Sequence, residues 1–208
     1  MAEKGYTTLD AYGTDTYEEK KSVFIGEALP VQTEEEALAF IASVKAKYPD
    51  ARHHVYAYLL REGSKNRYSD DHEPQGTAGM PVLDVLRKGG YTDAVVVVTR
   101  YFGGTLLGAG GLVRAYTAAA AGAVKAAGVR VYSTYRPAKL LLSYTDYNKL
   151  LPELEKRGVR ILSTDYAEEV ALSLSMPDEE YADFARAVTE MTAARAVLTP
   201  GDPVFDYA

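Results

Sequence analysis

The sequence of 208 residues contains no cysteine and three histidines. Without cysteine there is no disulfide framework and no thiolate metal site, so the fold depends on its hydrophobic core. A chain of this length buries enough apolar surface for that. A zinc site would need carboxylate ligands in addition to His53, His54 and His72. We therefore expect no metal and no cofactor.

Long apolar runs are also missing. The longest, Ala94–Val98, is far too short to cross a membrane as a helix. Residues 1–13 have neither the basic flank nor the apolar stretch of a signal peptide. These features predict a cytoplasmic protein that does not contact membranes.

Positive charge is scarce overall, since the formal net charge is −6. This value argues against simple electrostatic binding of nucleic acid. However, no carboxylate occurs between Asp93 and Asp146. That interval still contains six cations, which are Arg100, Arg114, Lys125, Arg130, Arg136 and Lys139. It is either an anion-facing surface or a buried strand and an alanine-rich helix that exclude carboxylates.

The first 135 residues have alternating strand and helix patterns. The predicted order is a strand at 20–30, a helix that starts at Thr33 and stops before Pro49, a strand at 54–60, a loop at 69–79, a helix at 80–88, a strand at 94–99, a glycine-dense loop, a helix at 111–127 and a strand at 129–135. Thr33 followed by three glutamates is typical of a helix N-terminus. The valine run indicates a strand that is covered on both faces.

The composition changes at Arg136–Pro137. The predicted order beyond it is a strand at 138–144, a helix at 146–157, strands at 159–165 and 168–175, a helix at 178–192 and a strand at 194–199. This βαββαβ order is the ferredoxin-like plan. We therefore predict an α+β protein with two domains, 1–135 and 136–208, the first with helices packed on a sheet.

An acidic segment, Asp70-Asp71-His72-Glu73, precedes a helix start. Carboxylates and a histidine this close together could bind a metal or act in acid–base catalysis. The spacing matches neither an EF-hand loop nor an HExxH helix. The simpler interpretation is a loop whose carboxylates cap the following helix.

Five glycines lie within nine residues after the valine strand. They are Gly103, Gly104, Gly108, Gly110 and Gly111. Glycine lets a ligand or another backbone approach closely, and the helix that follows begins with free N–H groups near Arg114. Arg100 and Tyr101 add a guanidinium group and an aromatic ring. Neither a GxxxxGK[ST] nor a GxGxxG pattern is present, and the alternative is close packing of helix on strand.

The segment Arg52-His53-His54-Val55-Tyr56-Ala57-Tyr58 has strand character. Alternation would place His53, Val55 and Ala57 on one face and His54, Tyr56 and Tyr58 on the other. A histidine pair at a strand start is more often structural than ligating. No catalytic residue emerges, because neither a cysteine nucleophile nor a Gly-x-Ser-x-Gly elbow is present.

Four segments together resemble the signature of the YigZ/IMPACT family: KKSVFIG, HHVYAY, SDDHEPQGTAGMPVL and VVVVTRYFGGTLLGAGGLVRAY. The resemblance covers about residues 17–134, and the tail is similar to the second domain of bacterial members. His72 stands where the family usually has glycine, and His54 where it usually has a small polar residue.

The resemblance implies a first domain that shares its fold with a domain of a small-subunit ribosomal protein and with small-molecule kinases. It implies a second domain like the last domain of elongation factor G. Eukaryotic relatives bind a ribosome-associated scaffold and restrain a starvation-sensing kinase, and nucleic-acid or ribosome binding is proposed for bacterial ones. The surface residues that match the family's motifs are His53, Tyr56, Asp70, Asp71, Glu73, Arg100, Tyr101 and Arg114.

The expected function is therefore that of a non-enzymatic binding protein linked to the regulation of translation. Its expected partners are RNA, the ribosome or a translation-associated protein. Two alternatives remain open. One is a nucleotide- or phosphate-binding enzyme that uses the Gly103–Gly111 loop, and the other is a pure protein-interaction module.

Overall fold

The structure is a computed structural model that describes residues 5–207. It divides into two compact units, Tyr6–Val131 and a unit that contains residues 132–207. Helices and two separate sheets make up the fold, as the α+β prediction requires.

The first unit contains a five-stranded sheet and three helices. Its elements are β1 (Tyr6–Leu9), β2 (Gly13–Glu19), β3 (Ser22–Pro30), α1 (Glu34–Lys47), β4 (His53–Leu59), β5 (Asn66–Ser69), α2 (Gly79–Lys88), β6 (Ala94–Tyr101) and α3 (Gly108–Ala127). The sheet order is β2-β3-β6-β4-β5, and every pairing is antiparallel. The helices and strands predicted up to residue 127 are present. Sequence patterns missed β1, β2 and β5, which are short or polar.

The central strand β6 is covered on both faces, as the valine run predicts. Val96 and Val98 belong to the core beneath α2 and α3, while Val95 and Val97 belong to the core beneath α1. All four side chains are fully buried. The first unit is therefore a three-layer arrangement in which one sheet separates two cores.

Alanine lines the buried face of α3 and lets the helix approach the sheet closely. Ala119 and Ala123 are fully buried, and a Cβ atom added to Gly26 of β3 would lie 2.3 Å from the carbonyl oxygen of Ala119. α3, with 20 residues, is the longest helix of the described chain. Between residues 5 and 207, none of the helices combines the length and the apolar character needed to span a membrane.

The second unit has the predicted βαββαβ order, followed by one further short strand that the sequence patterns missed. Its elements are β7 (Val129–Leu142, of which residues 132–142 belong to this unit), α4 (Tyr144–Lys156), β8 (Arg160–Tyr166), β9 (Val170–Pro177), α5 (Tyr181–Thr192), β10 (Val197–Pro200) and β11 (Val204–Tyr207). The antiparallel order β8-β9-β7-β10 is that of a ferredoxin-like sheet. Leu140, Leu172 and Phe184 lie in the core between the sheet and its helices.

One prediction of secondary structure is wrong. The sequence predicts two strands, 129–135 and 138–144, but the structure has the single strand β7 through Arg136–Pro137. Proline interrupts a strand because it lacks an N–H donor. Here the missing donor falls where the partner of β7 changes, since Ala138 pairs with Pro200 of β10 and Tyr135 with Val204 of β11. The Pro137 carbonyl still accepts a hydrogen bond from Gly201.

We expect residues 132–208, expressed alone, to unfold cooperatively in urea, because their core is complete without the first unit. A fragment that begins at residue 138 should be less stable, because it lacks the stretch of β7 that pairs with β11. Circular dichroism of both fragments tests this. A non-cooperative transition in the longer fragment would show that this unit is not an autonomous domain.

Candidate functional site

Asp70, the first residue of the acidic segment, caps helix α2. Its carboxylate accepts hydrogen bonds from the backbone N–H groups of Gly76 at 2.9 Å, Ala78 at 3.1 Å and Gly79 at 2.8 Å. Ala78, the residue directly before α2, has no side chain that caps the helix. Asp70 satisfies donors that would otherwise have no partner at the helix start.

Asp71 holds the acidic segment against the start of β4. Its carboxylate accepts from the backbone N–H of His54 at 2.6 Å, and its carbonyl oxygen lies 2.8 Å from Nδ1 of His53. Asp71 and His72 have φ values of 42° and 70°. This left-handed turn explains why glycine would suit position 72, since glycine adopts it without strain.

Glu73 lies at the centre of a buried polar cluster. Its Oε1 atom accepts from Nη1 of Arg100 at 2.6 Å and from the Tyr116 hydroxyl at 2.7 Å. The Glu73 and Arg100 side chains are 4% and 7% exposed. Burial first, and then the charge of Glu73, raises the pKa of Tyr116 far above its ordinary value, so the hydroxyl stays protonated and donates. We name Glu73, Arg100 and Tyr116 the buried triad.

The buried triad changes the interpretation of the interval between Asp93 and Asp146, which contains no carboxylate. The sequence placed Arg100 and Arg114 together as candidates for an anion-facing surface. The structure places Arg100 inside the first unit against a carboxylate, while Arg114 lies exposed on α3. Arg100 therefore follows the structural interpretation, in which an arginine neutralises a buried acid.

The glycines of the loop have different environments. A Cβ atom at Gly103 would lie 2.0 Å from the carbonyl carbon of Lys21, and the Gly103 N–H donates to Ser22 Oγ at 3.1 Å. Gly104 and Gly108 have φ values of 84° and 70°, and a Cβ atom at either would contact nothing within 4 Å. Close packing thus explains Gly103, and turn geometry explains Gly104 and Gly108.

Gly110 and Gly111 lie in the first turn of α3. Added Cβ atoms would meet the Arg114 side chain at 3.7 Å and Leu107 Cβ at 3.0 Å, respectively. Leu107, the residue before α3, provides no side-chain cap. In the described chain, residues 5–207, the first N–H groups of α3 therefore have no side-chain cap.

The close contact of Gly103 with Lys21 brings the β2–β3 turn next to the glycine loop. Lys20 and Lys21 form that turn and are exposed. Arg114 lies near enough to Tyr17 of β2 for its charge to oppose the rise in the pKa of Tyr17, which the hydrogen bond to Glu19 causes. Within residues 5–207, neither lysine nor Arg114 has a carboxylate within 4.0 Å.

Two large apolar side chains extend from the same loop into solvent. Phe102 is 56% exposed and Leu106 is 83% exposed. We name Lys20, Lys21, Phe102, Leu106 and Arg114 the basic loop surface. Sequence reasoning found Arg114 alone. The signal that could have revealed the others is the lysine pair between two strand patterns, which is typical of a hairpin turn.

The remaining predicted residues lie elsewhere. Tyr101 donates at 2.8 Å to Asp50, which lies just beyond the end of α1. Tyr56 packs against the core beneath α1 and stacks on Tyr58, with the ring centres 6.4 Å apart. The buried triad lies on the opposite face of the sheet, where Tyr116 joins the core beneath α2 and α3. In the described part of the chain, no three His, Asp or Glu side chains are arranged to hold a metal ion. The predicted residues therefore do not form one site.

Family models match both units separately. The Impact N-terminal domain matches residues 20–124. A domain of unknown function, DUF1949, matches residues 140–195. The first match contains the acidic segment, the glycine loop and the buried triad. The second covers most of the ferredoxin-like unit.

Two relatives match this chain over most of its length and over most of their own length. The chain is 34% identical to IMPACT family member YvyE of Bacillus subtilis, over 96% of this chain and 93% of that protein. It is 37% identical to IMPACT family member YigZ of Escherichia coli, over 83% and 86% of the two chains. A crystal structure of a hypothetical protein is 31% identical, with a TM-score of 0.59 over 97% of this chain and 98% of that one. The chain belongs to the IMPACT family.

Proposed function

We propose that the protein is a non-enzymatic, cytoplasmic binding protein that contacts RNA through the basic loop surface. One contrast carries this proposal. Each carboxylate of the acidic segment is engaged within the fold, at a helix start, at β4 or at Arg100. The basic loop surface instead presents exposed apolar side chains and three cations that have no carboxylate within 4.0 Å among residues 5–207. The acidic segment thus supports the fold, and the loop offers the binding surface.

The chemistry of the basic loop surface suits single-stranded RNA. Lys20, Lys21 and Arg114 can each neutralise a phosphate, while uncapped N–H groups at the start of α3 can donate to phosphate oxygens. Phe102 offers an aromatic ring on which an unpaired base can stack. The Arg100 guanidinium lies 5.6 Å from the centre of that ring and supports it from the interior.

Acidic groups near this surface limit its affinity. Glu18 and Glu19 directly precede the two lysines, and the whole chain has a net charge of −6. We therefore expect about three phosphate contacts and a modest salt dependence. For single-stranded RNA the slope of log affinity against log salt should be about −2.

Changing Arg114 to Gln should weaken binding of a single-stranded RNA oligonucleotide and reduce that slope by about 0.7, because one phosphate contact is lost. Changing Phe102 to Ala should weaken binding about fivefold to a hundredfold at every salt concentration, because one stacked base is lost. Fluorescence anisotropy across a salt series measures both effects. Lys125→Gln is the matched control, because Lys125 is an exposed cation on the same helix.

Wild-type protein that binds no RNA at low salt would refute the RNA proposal and favour a pure protein-interaction module.

The enzyme alternative makes a different prediction. A phosphate-binding Gly103–Gly111 loop with catalytic acids should give nucleotide hydrolysis that Asp71→Asn abolishes. The Asp71 carboxylate accepts a hydrogen bond from the backbone N–H of His54. We therefore expect Asp71→Asn to change the stability of the protein, and we expect no nucleotide hydrolysis in either the wild type or the variant. The link to translation is part of the proposal and comes from the sequence resemblance.

A further inference from the structure

Three tyrosines form an aromatic cluster in the second unit. The rings of Tyr144 and Tyr166 stack at 6.3 Å with an interplanar angle of 16°. Tyr147 meets Tyr166 edge to face at 6.2 Å. Tyr144 and Tyr147 lie in the first turn of α4, and Tyr166 is the last residue of β8. We name Tyr144, Tyr147 and Tyr166 the tyrosine cluster.

The tyrosine cluster is fixed in position although much of it faces solvent. The Tyr144 hydroxyl donates to the carbonyl oxygen of Ala167 at 2.8 Å, and the Tyr147 and Tyr166 hydroxyls lie 3.4 Å apart. Tyr144 is 46% exposed and Tyr166 is 62% exposed. Rings that are already ordered lose little conformational entropy when a partner binds them.

The charges next to the tyrosine cluster are negative. Glu168 and Glu169 form the turn that follows Tyr166 between β8 and β9, and both are exposed. Among residues 5–207 neither glutamate forms an ion pair or a side-chain hydrogen bond. The neighbouring cation on α4, Lys149, lies 4.0 Å from the carboxylate of Asp146. Over residues 135–208 the acids outnumber the bases by 13 to 8.

We propose that the tyrosine cluster and the Glu168–Glu169 turn form a docking surface for a lysine- or arginine-rich polypeptide segment. A cation over the face of a tyrosine is attracted by the ring, and the two unpaired carboxylates bind further cations of the same segment. The negative faces of the tyrosine rings and the two carboxylates both attract positive charge. RNA does not fit here, because its phosphates would meet two carboxylates, while the cation on α4, Lys149, lies next to the carboxylate of Asp146.

The test uses the full-length chain and a labelled, unstructured peptide of alternating arginine and glycine as the probe. Tyr144→Leu combined with Tyr166→Leu should weaken binding about threefold to thirtyfold, because apolar area remains but the rings are lost. Glu168→Gln combined with Glu169→Gln should weaken binding and flatten its salt dependence. Tyr166→Phe keeps the ring and should bind almost as well as the wild type. Fluorescence anisotropy measures binding, and thermal melting checks that each variant is folded.

Glu190→Gln combined with Asp202→Asn is the charge-matched control. It removes two carboxylates of the same unit outside the β8–β9 turn and should leave peptide binding almost unchanged. Equal loss in this control would show a non-specific effect of net charge and overturn the proposal. Unchanged binding in the tyrosine double variant would also overturn it.

Two further outcomes would contradict the choice of partner. Loss of RNA binding in the tyrosine double variant would make nucleic acid the ligand of this surface. Concentration-dependent self-association that the same variant abolishes would make a second copy the occupant. Variants of the basic loop surface should leave peptide binding unchanged. The docking surface and the RNA surface can therefore fail independently of each other.

Discussion

Replacing Arg100 with Leu is expected to lower the free energy of unfolding by about 3–5 kcal/mol. The substitution leaves the Glu73 carboxylate, 4% exposed, without the guanidinium that lies 2.6 Å away. A buried carboxylate without a cation is costly, because neither water nor a positive charge compensates it. Its loss of a partner therefore destabilises the first unit. Urea unfolding followed by circular dichroism measures the loss.

A double-mutant cycle separates the ion pair from the packing of the two side chains. Changing Glu73 and Arg100 together to Leu should recover a large part of the lost stability, because two apolar residues need no partner. Tyr116→Phe removes one hydrogen bond to Glu73 and should cost about 1–3 kcal/mol. Arg114→Leu is the matched control, exposed on α3, and should change stability by about 0.5 kcal/mol or less. A stable Arg100→Leu variant would show that the buried triad contributes little to folding.

The sequence predicted most of the fold because the relevant signals are local. Four consecutive valines, a threonine before three glutamates, and the βαββαβ succession each depend on short segments. Thr33 indeed caps α1, with its hydroxyl accepting from the N–H of Glu36. β2 was missed because its sequence, Gly-Thr-Asp-Thr-Tyr-Glu-Glu, is largely polar and exposed at the edge of the sheet. β7 was divided in two because the effect of a proline depends on β10 and β11, which follow much later in the chain.

The candidate site was less predictable because its contacts are distant in sequence. Glu73 finds Arg100 after 27 residues and Tyr116 after 43. Arg100 and Arg114 both flank the glycine loop and look alike in sequence, but one is buried and the other exposed. The neighbourhood of Lys21 and Gly103 depends on the pairing of β3 with β6. Local patterns indicate which residues are unusual, and tertiary pairing decides which of them reach the surface.

Replacing Gly103 with Ala is expected to destabilise the protein by about 3 kcal/mol, near the upper end for an added methyl group. The new Cβ atom would lie 2.0 Å from the carbonyl carbon of Lys21 and 2.3 Å from the backbone nitrogen of Ser22. Both atoms belong to backbone that is held in the β2–β3 hairpin, so no side chain can rotate away. The hydrogen bond from Gly103 to Ser22 would lengthen as the two segments separate.

Gly110→Ala provides the contrast within the same loop and helix. Its Cβ atom would meet the tip of the flexible Arg114 side chain alone, at 3.7 Å, and Gly110 does not have a positive φ. Because alanine favours helices more than glycine does, we expect this variant to be more stable by about 0.5–1 kcal/mol. Thermal and urea unfolding of both variants gives the comparison. Equal effects would mean that the Gly103–Lys21 contact is not formed.

The contact between Gly103 and Lys21 also places Lys20 and Lys21 beside Phe102. Gly103→Ala should therefore weaken RNA binding even at temperatures where the variant is folded. Gly110→Ala should leave RNA binding nearly unchanged.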